Sequence, residues 1–291
     1  MVDCFDEKVV CSLYADDIKL YTYIRSLSDC SRLQLAIDRL VSWADKWQLR
    51  ISINKCMVSH VGNNSTAPYT YSIKNLPLPN VVTAVKDLGV MFDVKLKFNV
   101  HINIIVVKAL ARSNLIIKCF LSRDPKTLFL AFVTYVRPIL EYASCVWSPF
   151  SLTYIKKVGS VQRRFTKRLK GMIELQYCER LAILGAETLE LRRLKADLTY
   201  IYKIMFGILD VEYRKFDIKL NGGTSTRPGT HYHAFCVEET HGRINARRNF
   251  VSLRVARMWN CLPANATNFK TVHAFKESLN KIDFSSQLTI K

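Results

Sequence analysis

No C-x-x-C pair occurs among the nine cysteines, and the six histidines show no metal-ligand spacing. Both absences argue against a zinc centre, and an odd, scattered cysteine set argues against a disulfide framework. The thiols therefore read as reduced, many of them packed in the interior. Also lacking is an uninterrupted apolar run near the roughly 20 residues that cross a bilayer. The best candidate, HINIIVVKALARSNLIIKCFL, is broken by Lys108, Arg112 and Lys118, so no membrane association is expected. The opening MVDCFDEKVV has no basic segment followed by an apolar one, hence no visible signal peptide. An intracellular chain of cytoplasm or nucleus, not a secreted one, is expected. On that reading the triplets at Asn63, Asn64 and Asn265 are chance matches to glycosylation acceptors. No internal repeat is evident.

Acidic residues are scarce in one region only. Residues 1–100 carry 12 Lys/Arg against 10 Asp/Glu, whereas residues 101–291 carry 31 against 14. A basic excess confined to one part of a chain points to a polyanion, nucleic acid before anionic membrane. With 49% hydrophobic residues over 291 positions, the chain can build a real core as one large domain or two ordinary ones.

The element pattern reads as α+β. KVVCSL (8–13) and IKLYTY (18–23) alternate as two strands of a hairpin around YADD. A helix follows over 28–49 with Ser28 or Asp29 as N-cap. Leu33, Ala36, Ile37, Leu40, Ala44 and Trp47 form its apolar face, with Arg32, Arg39 and Asp45 off that stripe. RISINKCMVSHV (50–61) returns to a strand pattern. After the polar GNNSTAP come the strand-like YTYSI, VVTAV and LGVMF. From residue 99 the periodicity turns helical. Asp124 caps a helix that opens with Pro125 and should kink or break at Pro138. Basic helices are expected at 152–170 and 187–207, a loop at 221–230, and further helices near 247–260 and 271–281.

Asp16 and Asp17 are the first chemical candidates. Asp is a common turn former through bonds to nearby amides, so taken alone an Asp-Asp pair in a hairpin is more often structural than catalytic. Two adjacent carboxylates repel, however, and a tip that concentrates them suits a cation. Mg²⁺ is a hard ion that takes a few carboxylates with waters and phosphate oxygens. Two such ions about 3.5–4 Å apart activate the attacking hydroxyl and stabilise the leaving oxygen in nucleotidyl transfer.

From this tip onward the sequence resembles, in order, the reverse transcriptases of non-LTR (LINE-type, Jockey-like) retrotransposons. YADD (14–17) is similar to the palm hairpin motif that carries two aspartates. WADKWQLRISINKC (43–56) is similar to the next palm motif, and VKDLGVMFD (85–93) to the hairpin that grips the primer end. HINIIVVKALARSNLI resembles the first thumb helix. YVRPILEYASCVWSP, VQRRFTKRL, YCERLAILGAETLELRRLKADL, WNCLP and FKESL resemble the C-terminal region. The likeness covers essentially the whole chain.

The resemblance implies a partial palm of antiparallel hairpins plus one helix over 1–98, and thumb-like helices over 99–150. A basic helical C-terminal region would follow over 151–220, then a mixed tail over 221–291. It implies that Asp16 is a metal-binding catalytic aspartate with Asp17 at the same site and Mg as cofactor. Tyr14 would pack near the primer or incoming nucleotide, and Leu88, Gly89 and Val90 would form the primer-grip-like turn. Lys55 matches the lysine that approaches the triphosphate; without that likeness it is an ordinary solvated lysine at a strand edge. RNA template and DNA primer would be the partners, met through phosphate contacts. The family's first catalytic aspartate, its fingers and its endonuclease belong to segments N-terminal to YADD, which this chain is expected to lack. Asp3 and Asp6 cannot replace that aspartate, because VDCFDEK runs straight into the first hairpin strand. The chain alone is thus expected not to polymerise DNA, and its first 60 or so residues to be the least stable part.

KKVGSVQRRFTKRLKG (156–171) places Arg163, Arg164, Lys167, Arg168 and Lys170 on one helix. Such a run is either a solvated face or a sequence-tolerant phosphate contact. Arg192, Arg193, Arg247, Arg248, Arg254 and Arg257 are weaker candidates. His101 belongs to the thumb entry by resemblance, and Trp259 reads as a core anchor. The non-catalytic alternative is a nucleic-acid-binding protein that keeps only the basic region in use.

Overall fold

Alternation opens the chain as expected. β1 (Val10–Tyr14) and β2 (Asp17–Tyr21) pair antiparallel, with Tyr14 opposite Asp17, Leu13 opposite Ile18 and Val10 opposite Tyr21. The computed structural model describes residues 8–62, 69–81, 84–211, 216, 218, 233–264 and 266–289. Asp3, Asp6, most of GNNSTAP, part of VVTAV, the 221–230 loop and Asn265 lie outside these. The described residues form two compact units, one running to Asp87 and including Phe92–Leu96, the other comprising Leu88–Met91 and everything from Lys97.

In the first unit, α1 (Leu27–Lys46) is capped two or three residues before the expected Ser28 or Asp29. Ser26 is the N-cap, and Asp29 at the third helical position reaches back to accept the Arg25 and Ser26 amides, each at 3.0 Å. Ala36 and Ala44 are buried on the anticipated face, but Trp47 is 63% exposed because the helix has ended at that residue. Cys30 and Val41 pack with Tyr71, Ile73 and Leu78, and Leu33, Ile37 and Cys56 flank this small core. The side-chain amide of Gln34 clasps the Ser72 backbone in both directions at 2.9 Å. That contact holds the hairpin of β4 (Ser72–Ile73) and β5 (Leu76–Pro77) against α1.

The strand expected over 50–61 is not formed. A single 3-10 turn, Ile53–Lys55, interrupts it, leaving β3 (Val58–Ser59). β3 pairs with β6 (Asn80–Val81) in parallel, so not every pairing is an antiparallel hairpin. β7 (Ala84–Asp87) and β8 (Val90–Asp93) form the last two-stranded sheet, turning at Leu88 (φ 43°) and Gly89 (φ 86°). Positive φ at both central residues is the geometry of a tight hairpin turn.

In the second unit, α2 (Asn99–Cys119) buries Ile102, Ile105, Val106, Ala109 and Ile116. By length and composition α2 is apolar enough to cross a bilayer, and its apolar residues divide between this buried face and exposed positions such as Val107 and Leu115. α3 (Pro125–Tyr135) starts as expected, with the Asp124 carboxylate accepting the Thr127 amide at 2.7 Å. It stops at Val136, and α4 (Arg137–Glu141) restarts around Pro138, which has no amide to continue the ladder. α5 (Ser144–Trp147) and α6 (Leu152–Lys167) follow. α7 (Tyr177–Leu184), not anticipated, is closed by Gly185 at φ 58°.

α8 (Leu189–Met205), α9 (Asn245–Arg248), α10 (Val251–Asn260) and α11 (Val272–Asn280) complete the α+β fold. Trp259 anchors their core as read. Fully buried, it donates its indole N–H to the Phe235 carbonyl at 2.7 Å and packs on Phe269 and Phe275. The eight described cysteines are free, but only Cys30 and Cys236 are buried, fewer than expected.

Candidate active-site hairpin and basic helix face

A two-residue turn, Ala15–Asp16, joins β1 to β2, with Ala15 held at φ 51°. Asp16 therefore sits on the turn and Asp17 is the first residue of β2; both are exposed. Alternation puts Tyr14, Asp17 and Lys19 on one face, and Leu13 and Ile18 on the other. Tyr14 is 68% exposed, so the described residues do not cover this tip.

The face that carries Asp17 also carries Lys19. Its ammonium forms an ion pair with Asp87 at the end of β7 and lies 5.8 Å from the centre of the Phe92 ring. Asp87 was not among the sequence candidates, and its pairing neutralises Lys19 rather than enlarging the acidic tip. Among the described residues no group of three His, Cys, Asp or Glu side chains is placed to hold a metal. Asp16 and Asp17 supply carboxylates suited to Mg²⁺ but do not by themselves complete a two-ion site. Lys55 lies in the first unit with the hairpin, exposed, at the end of the 3-10 turn rather than on a strand edge.

The Leu88–Gly89–Val90 turn belongs to the second unit and is gripped by side chains the sequence did not single out. The Tyr142 hydroxyl donates to the Leu88 carbonyl at 3.0 Å. A Cβ on Gly89 would stand 3.2 Å from the Tyr142 ring, which explains the glycine. His101, buried on α2, accepts the Met91 amide on Nδ1 at 3.3 Å and meets Trp147 edge-on at 5.2 Å. Burial, with Lys108 as a lesser cause, lowers its pKa and keeps the ring neutral, as the accepting nitrogen requires.

The basic run splits by helical phase. Val158, Val161, Gln162, Phe165 and Thr166 are buried, and Arg164 and Lys167 face outward in the last turn of α6. Their charge there also suits the helix C-terminus. Arg168 is the C-cap and reaches Asn114 of α2 at 2.5 Å; Lys157 reaches Asn103 at 2.5 Å. Both contacts bridge 54 positions, so α2 and α6 run parallel. Lys170 lies beyond the helix end, not on it. Arg163 turns away: it folds over Gly159 and sits 5.3 Å from the Tyr177 ring centre, with Arg180 on the same ring at 5.6 Å. Arg164, Lys167, Arg168 and Lys170 thus form the exposed basic group.

Four of the weaker candidates are structural. Arg192 holds Glu141 with its second contact at 2.9 Å. Arg254 clamps both oxygens of buried Asp197 at 3.0 and 2.9 Å, beside buried Arg193. Arg247 stacks 5.5 Å from the Phe250 ring centre, while Arg248 and Arg257 are exposed.

No family model and no solved structure matches the chain. It is 27% identical over 172 residues to the RNA-directed DNA polymerase from mobile element jockey of Drosophila melanogaster, covering 57% of this chain. The corresponding polymerase of Drosophila funebris is 25% identical over 175 residues, 56% of this chain. Each match covers 18% of the polymerase, so this chain spans under a fifth of those proteins. An uncharacterized protein of Caenorhabditis elegans is 24% identical over 163 residues, 80% of its length. These similarities support a distant relationship to reverse transcriptases.

Proposed function

We propose that this chain is a C-terminal portion of a non-LTR retrotransposon reverse transcriptase, retained from the YADD palm hairpin onward. The observation that carries the proposal is the ordered run of palm, thumb and C-terminal motifs, together with the distant similarity to jockey polymerases. In the intact parent, Asp16 and Asp17 hold Mg²⁺ for nucleotidyl transfer beside a carboxylate from another strand. Lys55 serves the triphosphate, and Leu88–Val90 meets the primer end. Alone, the chain does not extend a primer, since positioning and electrostatic stabilisation by a complete ion cluster supply most of such a rate enhancement. A primer-extension assay with Mg²⁺ should show no product, and Asp16→Asn no change. Metal-dependent extension abolished by Asp16→Asn would overturn the silent reading.

A non-catalytic role in nucleic-acid binding is favoured by the exposed group Arg164, Lys167, Arg168 and Lys170. Each phosphate neutralised contributes about −0.7 (single strand) or −0.9 (duplex) to the slope of log K against log salt. Replacing Arg164 and Lys167 by glutamine should therefore flatten the slope by roughly 1.4 to 1.8. A parent slope near zero rejects this role.

A further inference from the structure

A small concavity of about 190 Å³, distinct from the α6 face, is lined by Glu239, Thr240, His241, Gly242, Arg248, Leu253 and Arg257. Its wall is held close. A Cβ on Gly242 would stand 2.6 Å from the Arg248 amide nitrogen and 2.9 Å from its Cα, so only glycine lets the 239–242 segment rest on the end of α9. The preceding segment is clasped by Asn260, whose side chain accepts the Val237 amide at 2.9 Å and donates to the Val237 carbonyl at 2.8 Å. The same amide group donates to the Glu239 carboxylate at 3.3 Å, which engages that acid.

The two guanidiniums are what this cavity offers. Elsewhere in the second unit Arg192, Arg254 and Arg163 are each committed to Glu141, Asp197 and Tyr177. The Arg248 and Arg257 guanidiniums and the His241 ring make no hydrogen bond or ion pair with side chains or backbone of the described residues. Two cations lining one concave site repel unless an anion lies between them, and guanidiniums match phosphate oxygens in pairs. Glu239 reduces that positive charge without cancelling it. The volume suits one tetrahedral group and the first atoms attached to it. A phosphomonoester carries up to two negative charges where an internal phosphodiester carries one, so a pair of guanidiniums favours the terminal group.

We propose that this cavity binds a terminal phosphate, that is, a phosphomonoester. Arg248 and Arg257 grip its oxygens, and the Thr240 hydroxyl and His241 complete the donor set. The phosphorylated end of a nucleic-acid strand and a small free phosphate share this chemistry. The site does not depend on the α6 reading.

The test uses the full chain and two fluorescent single strands of one sequence, carrying either a 5′-phosphate or a 5′-hydroxyl. The phosphorylated strand should bind on the order of tenfold tighter, the gain from one or two charge-assisted bonds. Arg248→Gln with Arg257→Gln should erase that preference, bringing the two strands to one affinity. Arg164→Gln with Lys167→Gln should weaken both strands alike and keep the ratio, which separates this site from the α6 face. In a parallel arm, inorganic phosphate should raise the melting temperature of the parent and not of the Arg248/Arg257 variant. That shift without a strand preference assigns the site to a small phosphate. Neither effect, or a preference that survives the double substitution, overturns the proposal.

Discussion

Arg254→Ala should destabilise the second unit severely, because it strands a buried carboxylate. Asp197 has 5% of its side chain exposed and Arg254 15%, and the guanidinium binds both Asp197 oxygens. Arg254 also donates to the Asn249 carbonyl at 2.9 Å and the Cys145 carbonyl at 2.8 Å, tying α9 and α5 to this point. Removing one partner of such a pair costs about 3–5 kcal/mol, whereas replacing both by apolar groups of similar volume is often neutral. At roughly 2–4 °C per kcal/mol, the alanine variant should melt about 6–20 °C lower. Urea unfolding followed on buried Trp147 and Trp259 reads this directly. Asp197→Leu with Arg254→Met should recover most of the loss. The sign with pH is set by burial, which raises the Asp197 carboxyl pKa against the opposing pull of Arg254. Without the guanidinium it rises further. An acid raised in the folded state stabilises it at low pH and ceases to as pH climbs through that value, so the deficit of Arg254→Ala should shrink on acidification. A variant within about 1 kcal/mol of the parent, the range of exposed ion pairs, would refute the reasoning.

Gly89→Ala forces a side chain into φ 86° and against Tyr142, and should cost about 1–2 kcal/mol in the same urea assay. Asp29, held down to about 2 chiefly by the Arg25 amide and by Ser26, stabilises α1 above pH 3.8 and loses that effect as pH falls toward 2. Helical signal in that window should fall in the parent and stay level in Asp29→Asn. His101, lowered from 6.5 mainly by burial, supports the fold above that pH and ceases to as protonation sets in below it; His101→Asn should remove this component from acid titrations of stability. Amides of β1 and β2 should exchange far faster than those of α8, and strong protection over 10–21 would contradict a weakly covered hairpin.

Elements with an uninterrupted period were legible. The first hairpin, α1, α3 with its Asp124 cap, the break near Pro138 and α6 all lie close to where their patterns place them. The 50–61 segment failed because its alternation, RISINKCMV, was satisfied by side chains packing on α1 rather than by strand partners, and the backbone took a 3-10 turn. The Asp197 pair carried a signal that went unread: Arg193, Asp197, Ile201 and Ile204 share the buried phase of α8, and a charge in that phase marks a paired site. Likewise, the phase of α6 separates Arg163 from Arg164, although the sequence shows only adjacent arginines. The grip of Tyr142 and His101 on the 88–91 turn is a long-range contact, for which local periodicity carries no sign.

The first hairpin combines two features that oppose its stability as it stands. Ala15 adopts a φ of 51° to bring two aspartates to an exposed tip, where their charges repel. On the face opposite Asp17, Leu13 and Ile18 are 47% and 40% exposed. A neighbouring strand would cover Leu13 and Ile18 but leave the carboxylates in conflict. A cation would relieve the carboxylates but leave the apolar side chains wet. A turn former needs neither, and would be served as well by one aspartate and a glycine at position 15. The proposed polymerase lineage calls for both kinds of cover at once, strands beside the hairpin and divalent ions at its tip, and so accounts for the sequence of this turn where a purely structural role accounts for half of it.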